Sequence, residues 1–186
     1  MRFLIRVSPS MVPRERLYQT VRSVARALGL DPRDPKWTSY GALELDVFAP
    51  TRVDFDLFVS AVEPLATFEF TKDLNFPPPH KAEAELLAEA RELFNAERYW
   101  ECHEVLEGVW RVKQGKEKSL LQGLILVCAA FVHSQKGEDN VALGVLRRSV
   151  PQLEYPGPHF GGIDLELLRH NVRTMLETSN FTNFTL

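Results

Sequence analysis

The stretch Tyr99-Trp100-Glu101-Cys102-His103-Glu104-Val105-Leu106-Glu107-Gly108-Val109-Trp110 gathers ionisable groups, aromatics and a thiol within one helix-forming run. At roughly 100° per residue on an α-helix, His103, Glu107 and Trp110 share one seam, with Tyr99 beside them. Cys102, Val105, Leu106 and Val109 form the adjoining apolar arc, and Glu104 and Arg111 point away from it. An imidazole and a carboxylate thus sit where the buried face meets the wet one. Partial desolvation there shifts proton affinities while leaving the groups reachable. One chemistry this permits is metal binding: His103 and Glu107 can share a divalent ion, with His133 as a third ligand and a position left open for water. A metal-dependent hydrolase or lyase would be built that way, although the spacing is neither HExxH nor Glu-x-x-His.

Acid/base work by His103 beside Glu107 is a second possibility. No nucleophile accompanies it, since Cys102 and Cys128 have no evident partner and Ser119 and Ser134 lie outside any catalytic motif. The residues favour a third reading. Tyr99, His103, Glu107, Trp110, Gln122 and His133 would line a polar pocket between two helices, hydrogen-bonded so as to fix their register. On that reading the protein is a binding or scaffolding module for a small-molecule or protein ligand, with the balance against an enzyme.

The seam has to be held by its neighbours, and the 186 residues divide into two compositions. Residues 1–75 read as a small β-α-β-α-β sandwich. Arg2, Leu4 and Arg6 alternate with Phe3, Ile5 and Val7 in a strand, and Leu17, Val21, Val24, Ala25 and Leu28 follow at helical spacing until Gly29. Asp31-Pro32-Arg33-Asp34-Pro35 has the chemistry of a loop. Leu43, Leu45 and Val47 predict a second strand, the run from Asp54 to Val62 a second helix, and Phe68 to Thr71 a third strand. The prolines at 77–79 mark a connector at 76–80, because successive prolines favour a stiff, extended chain.

From residue 81 to 178 the pattern is an all-α bundle of about five helices. These run from Lys81 to Asn95, from Arg98 to Gln114 with Gly115 as a C-terminal cap, from Glu117 to Lys136, from Asn140 to Leu153 and from Asp164 to Thr178. Gln122 and His133 share a stripe on the third of these with Leu126 and Ala129. The polar residues 179–186 are expected to fray. The fold class is therefore α+β with two domains.

The run from Phe94 to Trp110, followed by Leu121-Gln122-Gly123-Leu124-Ile125 and His133, resembles the family catalogued as domain of unknown function 309. The resemblance covers about residues 82–153 and implies a compact, all-helical, cytoplasmic prokaryotic domain with no established activity. Residues 1–79 fall outside it.

Bulk properties narrow the remaining classes. The chain is 45% hydrophobic and 25% charged with a net charge of -3, values of a globular protein. Residues 1–79 carry ten cationic and ten anionic side chains, and residues 80–186 carry twelve against fifteen, so charge alone does not imply nucleic acid. Arginines nonetheless crowd the first 35 residues, and Arg22 and Arg26 lie one turn apart, which leaves a nucleic-acid-binding accessory role through phosphate contacts as a further alternative. An open sheet edge there would suit a homodimer. The N-terminus lacks the apolar region of a signal peptide, and the longest apolar run, Gly123 to Val132, is far short of the roughly 20 residues that span a bilayer. A cytoplasmic protein without membrane association is expected, with Cys102 and Cys128 as reduced thiols and Asn180 and Asn183 unglycosylated.

Overall fold

The structure is a computed structural model in which residues 1–77 and 80–186 are described. Pro78 and Pro79, at the heart of the expected connector, lie outside the described residues. The chain forms two units, Met1–Pro79 and His80–Leu186, each around its own hydrophobic core.

In the first unit the order is β1 (Arg2–Pro9), α1 (Arg14–Ala27), β2 (Asp31–Trp37), β3 (Leu43–Phe48), α2 (Arg52–Val62) and β4 (Ala66–Asp73). The strands pair antiparallel in the order β2-β3-β1-β4, giving the β-α-β-β-α-β arrangement of the split-βαβ, ferredoxin-like type. Phe3, Ile5 and Val7 lie opposite Val47, Leu45 and Leu43. That face packs on Leu17, Val21 and Ala25 of α1 and on Phe55, Phe58 and Val62 of α2. The Phe3 and Phe55 rings stack at 3.8 Å. Thr51 starts α2 with a capping box: its hydroxyl accepts from the Asp54 N–H while the Asp54 carboxylate accepts from the Thr51 N–H.

The proline-rich stretch read as a loop is strand β2, so the sheet has four strands and not three. Proline cannot donate to a ladder, but an edge strand needs only one bonded side. β2 is an edge, and its register shifts between Arg33 and Lys36, where Pro35 sits. A tight reversal returns it to β3, with Thr38 Oγ1 accepting from the Ala42 N–H at 2.8 Å.

The second unit has α3 (Glu83–Asn95), α4 (Tyr99–Trp110), α5 (Gly115–Gln135), α6 (Asp139–Ser149), a 3₁₀ turn (Val150–Leu153), a two-strand hairpin of β5 (His159–Phe160) and β6 (Ile163–Asp164), and α7 (Leu165–Thr178). Gly115 does not cap α4, which ends at Trp110; it opens α5 with φ 60°. The central helix α5 buries nearly its whole circumference, from Leu120 to Phe131. Gly123 on it is required by close approach: a Cβ there would lie 2.8 Å from Leu153 Cδ2 and 3.1 Å from the Gln152 carbonyl carbon. The final segment is not frayed. Phe181 and Phe184 pack against Phe131, and Phe184 also meets Phe94, while Asn95 Oδ1 accepts from the Leu186 N–H at 2.8 Å. No helix among the described residues is long and apolar enough to cross a membrane.

Candidate functional site

Helix α4 presents the seam as its pattern predicts. Tyr99, Cys102, Leu106 and Val109 are buried, His103, Glu107 and Trp110 are half-buried, and Glu104, Gly108 and Arg111 are exposed. Tyr99 stacks on Phe131 of α5 at 4.6 Å and meets Phe94 edge-on, and its hydroxyl donates to Asn183 Oδ1 at 3.4 Å. It is therefore a core residue with its polar end satisfied. Trp110 lies under Lys118 Nζ at 4.3 Å, a cation–π contact across the turn into α5.

The neighbours of His103 are carboxylates of its own helix. Nε2 is 3.8 Å from Glu107 Oε1, and Nδ1 is 3.4 Å from Glu104 Oε1. Nδ1 is nevertheless buried and makes no hydrogen bond among the described residues, although a quarter of the side chain is exposed. Glu107 also meets Arg111 at 3.3 Å, one turn further along.

The structure does not bring His133 to this seam. Cys102 faces Cys128, Tyr99 faces Phe131, and Gln135 donates to the Glu97 carbonyl, so α4 and α5 run antiparallel with His133 opposite the start of α4. His103 lies about six residues further along, or roughly 9 Å at 1.5 Å per residue. His133 instead pairs through Nδ1 with Glu138 at 2.5 Å, just past the end of α5. Gln122, Leu126, Ala129 and His133 do form one half-buried stripe, as their spacing predicts. By the same register Gln122 comes level with Glu107 and Gly108, whereas His133 is staggered away along the helix axes, so the two imidazoles do not meet. Among the described residues no group of three His, Cys, Asp or Glu side chains is placed to hold a metal ion. A depression elsewhere in this unit, lined by Val150, Leu153, Glu154, Arg169, Val172 and Arg173, involves none of the seam residues.

Two features escaped the sequence reading. Glu101, only 2% exposed, accepts a two-pronged ion pair from Arg98 at 2.6 and 2.8 Å. The Arg-x-x-Glu spacing at a helix start is its one local signal. The other is a buried charged layer on the second face of the N-terminal sheet. Arg6 and Glu44 pair directly across β1 and β3, with Arg6 Nη2 donating to Glu44 Oε2 at 2.9 Å and Lys36 Nζ 3.4 Å from Oε1. All three are at most 3% exposed. Arg6 also donates to the Tyr40 hydroxyl, which donates to Glu69, and Ser8 donates to the same carboxylate. Burial alone would lower the Arg6 proton affinity, but Glu44 and Tyr40 overcome it and hold the guanidinium above its ordinary value. Burial and the hydrogen bond to Glu69 push the Tyr40 phenol up. Alternating charges in a strand normally mark a wet face, so only the fold reveals this layer as buried.

The same pairing alters the basic N-terminus. Arg2 is bound to Asp46 at 2.8 Å, Arg6 to Glu44 and Arg33 to Asp31 at 2.6 Å. Arg22 lies over the Tyr18 ring at 5.8 Å and is half-buried, whereas Arg26, a turn away, is exposed.

Comparison with known proteins gives this helical unit its class. Residues 87–145 match the family described as domain of unknown function (DUF309), and the chain belongs to that family through its second unit. The match does not extend into residues 1–79. An uncharacterized protein of Aquifex aeolicus (strain VF5) is 29% identical over 102 residues, which are 54% of this chain and 31% of that protein. The chain thus spans about a third of the length of this relative. The crystal structure of the conserved hypothetical protein TTHA0068 from Thermus thermophilus is 37% identical, with a TM-score of 0.43, and the match covers 48% of this chain and 94% of that one.

Proposed function

We propose that the chain acts as a binding module whose contact surface is the half-exposed face of α4, formed by His103, Glu104, Glu107, Gly108, Trp110 and Arg111. The observation that carries this reading is the His103 imidazole, whose Nδ1 is buried without a hydrogen bond among the described residues while the ring reaches the surface beside Glu107. Buried polar atoms are normally satisfied, and the inward-turned Nδ1 marks an imidazole that the fold itself does not use, leaving the exposed edge of the ring to meet a ligand. The face also carries both signs of charge and an aromatic ring, which favours a protein surface over a metal ion or a small apolar molecule. The groups flanking the His103 ring nitrogens are carboxylates and not a hydroxyl or thiol that the imidazole could activate, which weighs toward recognition over covalent catalysis.

Site-specific photo-crosslinking in cells tests the proposal. A photoreactive residue at exposed Gly108 should trap a discrete protein adduct that disappears when His103→Ala is added, and one at exposed Glu166 on α7 should not. Equal yields from both positions, or an adduct indifferent to His103, would sink it.

A further inference from the structure

The two cysteines of the chain lie on different helices and meet in the core of the helical unit. Cys102 of α4 and Cys128 of α5 are 0% and 1% exposed, their Sγ atoms are 3.2 Å apart, and both are free thiols. A disulfide bond is about 2.05 Å long, so roughly 1 Å of combined approach separates this contact from a bond. A gap of this size is on the scale that rotation about the two Cα–Cβ bonds covers. The two sulfurs are on facing helices, 26 residues apart in sequence, so any bond would cross-link the tertiary fold and not a local turn.

We propose that Cys102 and Cys128 are a disulfide-forming pair, a covalent modification site that staples α4 to α5 when the protein meets a small-molecule disulfide. In the first step one protein thiolate attacks a sulfur of the oxidant, forming a mixed disulfide and releasing one oxidant thiolate. In the second step the other cysteine attacks the protein sulfur of that mixed disulfide. The Sγ–Sγ bond forms, the second oxidant thiolate leaves, and the two protein protons end on the two released thiols. The protein is oxidised by two electrons and the small disulfide is reduced by two. Burial, reinforced by the neighbouring Cys102, pushes the Cys128 thiol well above its ordinary value. Few Cys128 thiolates exist near neutral pH, so attack through this sulfur quickens as pH rises. Both sulfurs are buried, so the mixed disulfide forms while the helical unit is open, and repacking of the apolar core expels the polar adduct in favour of the staple.

The full chain is incubated with oxidised glutathione, once folded and once while refolding from urea, and read by intact mass and thermal unfolding. The expected product has lost two hydrogens and retains no glutathione. Its Tm is several degrees higher, the shift reverses with dithiothreitol, and neither Cys102→Ala nor Cys128→Ala shows it. A persistent glutathione adduct, a cross-linked dimer, two free thiols after refolding, or the same Tm shift in either variant would overturn the proposal.

Discussion

Glu44 stands between two cations with almost no water to share them. Arg6 and Lys36 both reach its carboxylate, and all three side chains are buried. Removing one member of such a group leaves the others charged and desolvated, at a cost of about 3–5 kcal/mol. Glu44→Ala is therefore expected to lower the free energy of unfolding by that amount in urea titrations, whereas Glu104→Ala, on the exposed side of α4, should change it by less than about 0.5 kcal/mol. A second residue-scale prediction concerns acid. Asp73 is held below the usual carboxylate range, first by the Asn75 backbone N–H and then by the Asn75 side chain. A depressed folded value stabilises the protein fully above the unfolded value of about 3.9 and loses that contribution as pH falls through the folded value. Stability curves of the parent and of Asn75→Ala should accordingly lie apart at about pH 6 and draw together toward about pH 2.

At the scale of elements, the Gln-Gly pair of α5 shows how one missing side chain positions a helix. Gly123 lets the 3₁₀ turn come down onto α5, where Ser119 Oγ donates to Gln152 Oε1 at 2.6 Å. Gly123→Ala gains helix propensity of up to about 1 kcal/mol but forces a collision with Leu153 and the Gln152 backbone. Overpacking of this kind costs about 1–3 kcal/mol, so a net loss is expected in denaturant titration, and the smaller side chain of Leu153→Ala should relieve part of the clash in the double variant. The last eight residues behave as an element without regular structure. Phe181 and Phe184 insert their rings among Phe94 and Phe131, so Phe184→Ala should reduce stability by about 1–3 kcal/mol and raise amide exchange in α3 and α5.

For the whole molecule, two separate cores mean that damage should stay local. Phe58→Ala opens a cavity in the N-terminal core worth about 3–5 kcal/mol and should deprotect amides of β1 and β3 while leaving those of α5 unchanged. Hydrogen exchange read by mass spectrometry checks this. Much of that division is legible in the residues themselves. Alternation in Phe3, Ile5 and Val7, helical spacing in α1 and α2, and the all-round apolar run of α5 each express a periodicity that local geometry imposes whatever the partner. The composition change across residues 76–80 separates the units for the same reason. Strand β2 was hidden because tolerance for Pro32 and Pro35 depends on being an edge, a property of the sheet and not of the strand. The polar tail read as frayed because two phenylalanines among asparagines and threonines acquire a binding place only once Phe94 and Phe131 are assembled. The seam of His103, Glu107 and Trp110 followed from one helix and could be read directly. Whether His133 joins it depends on the stagger of two antiparallel helices, which the core contacts of Cys102 with Cys128 and Tyr99 with Phe131 decide. Period fixes which residues share a face of one element; only packing between elements fixes which faces, and which charges, meet.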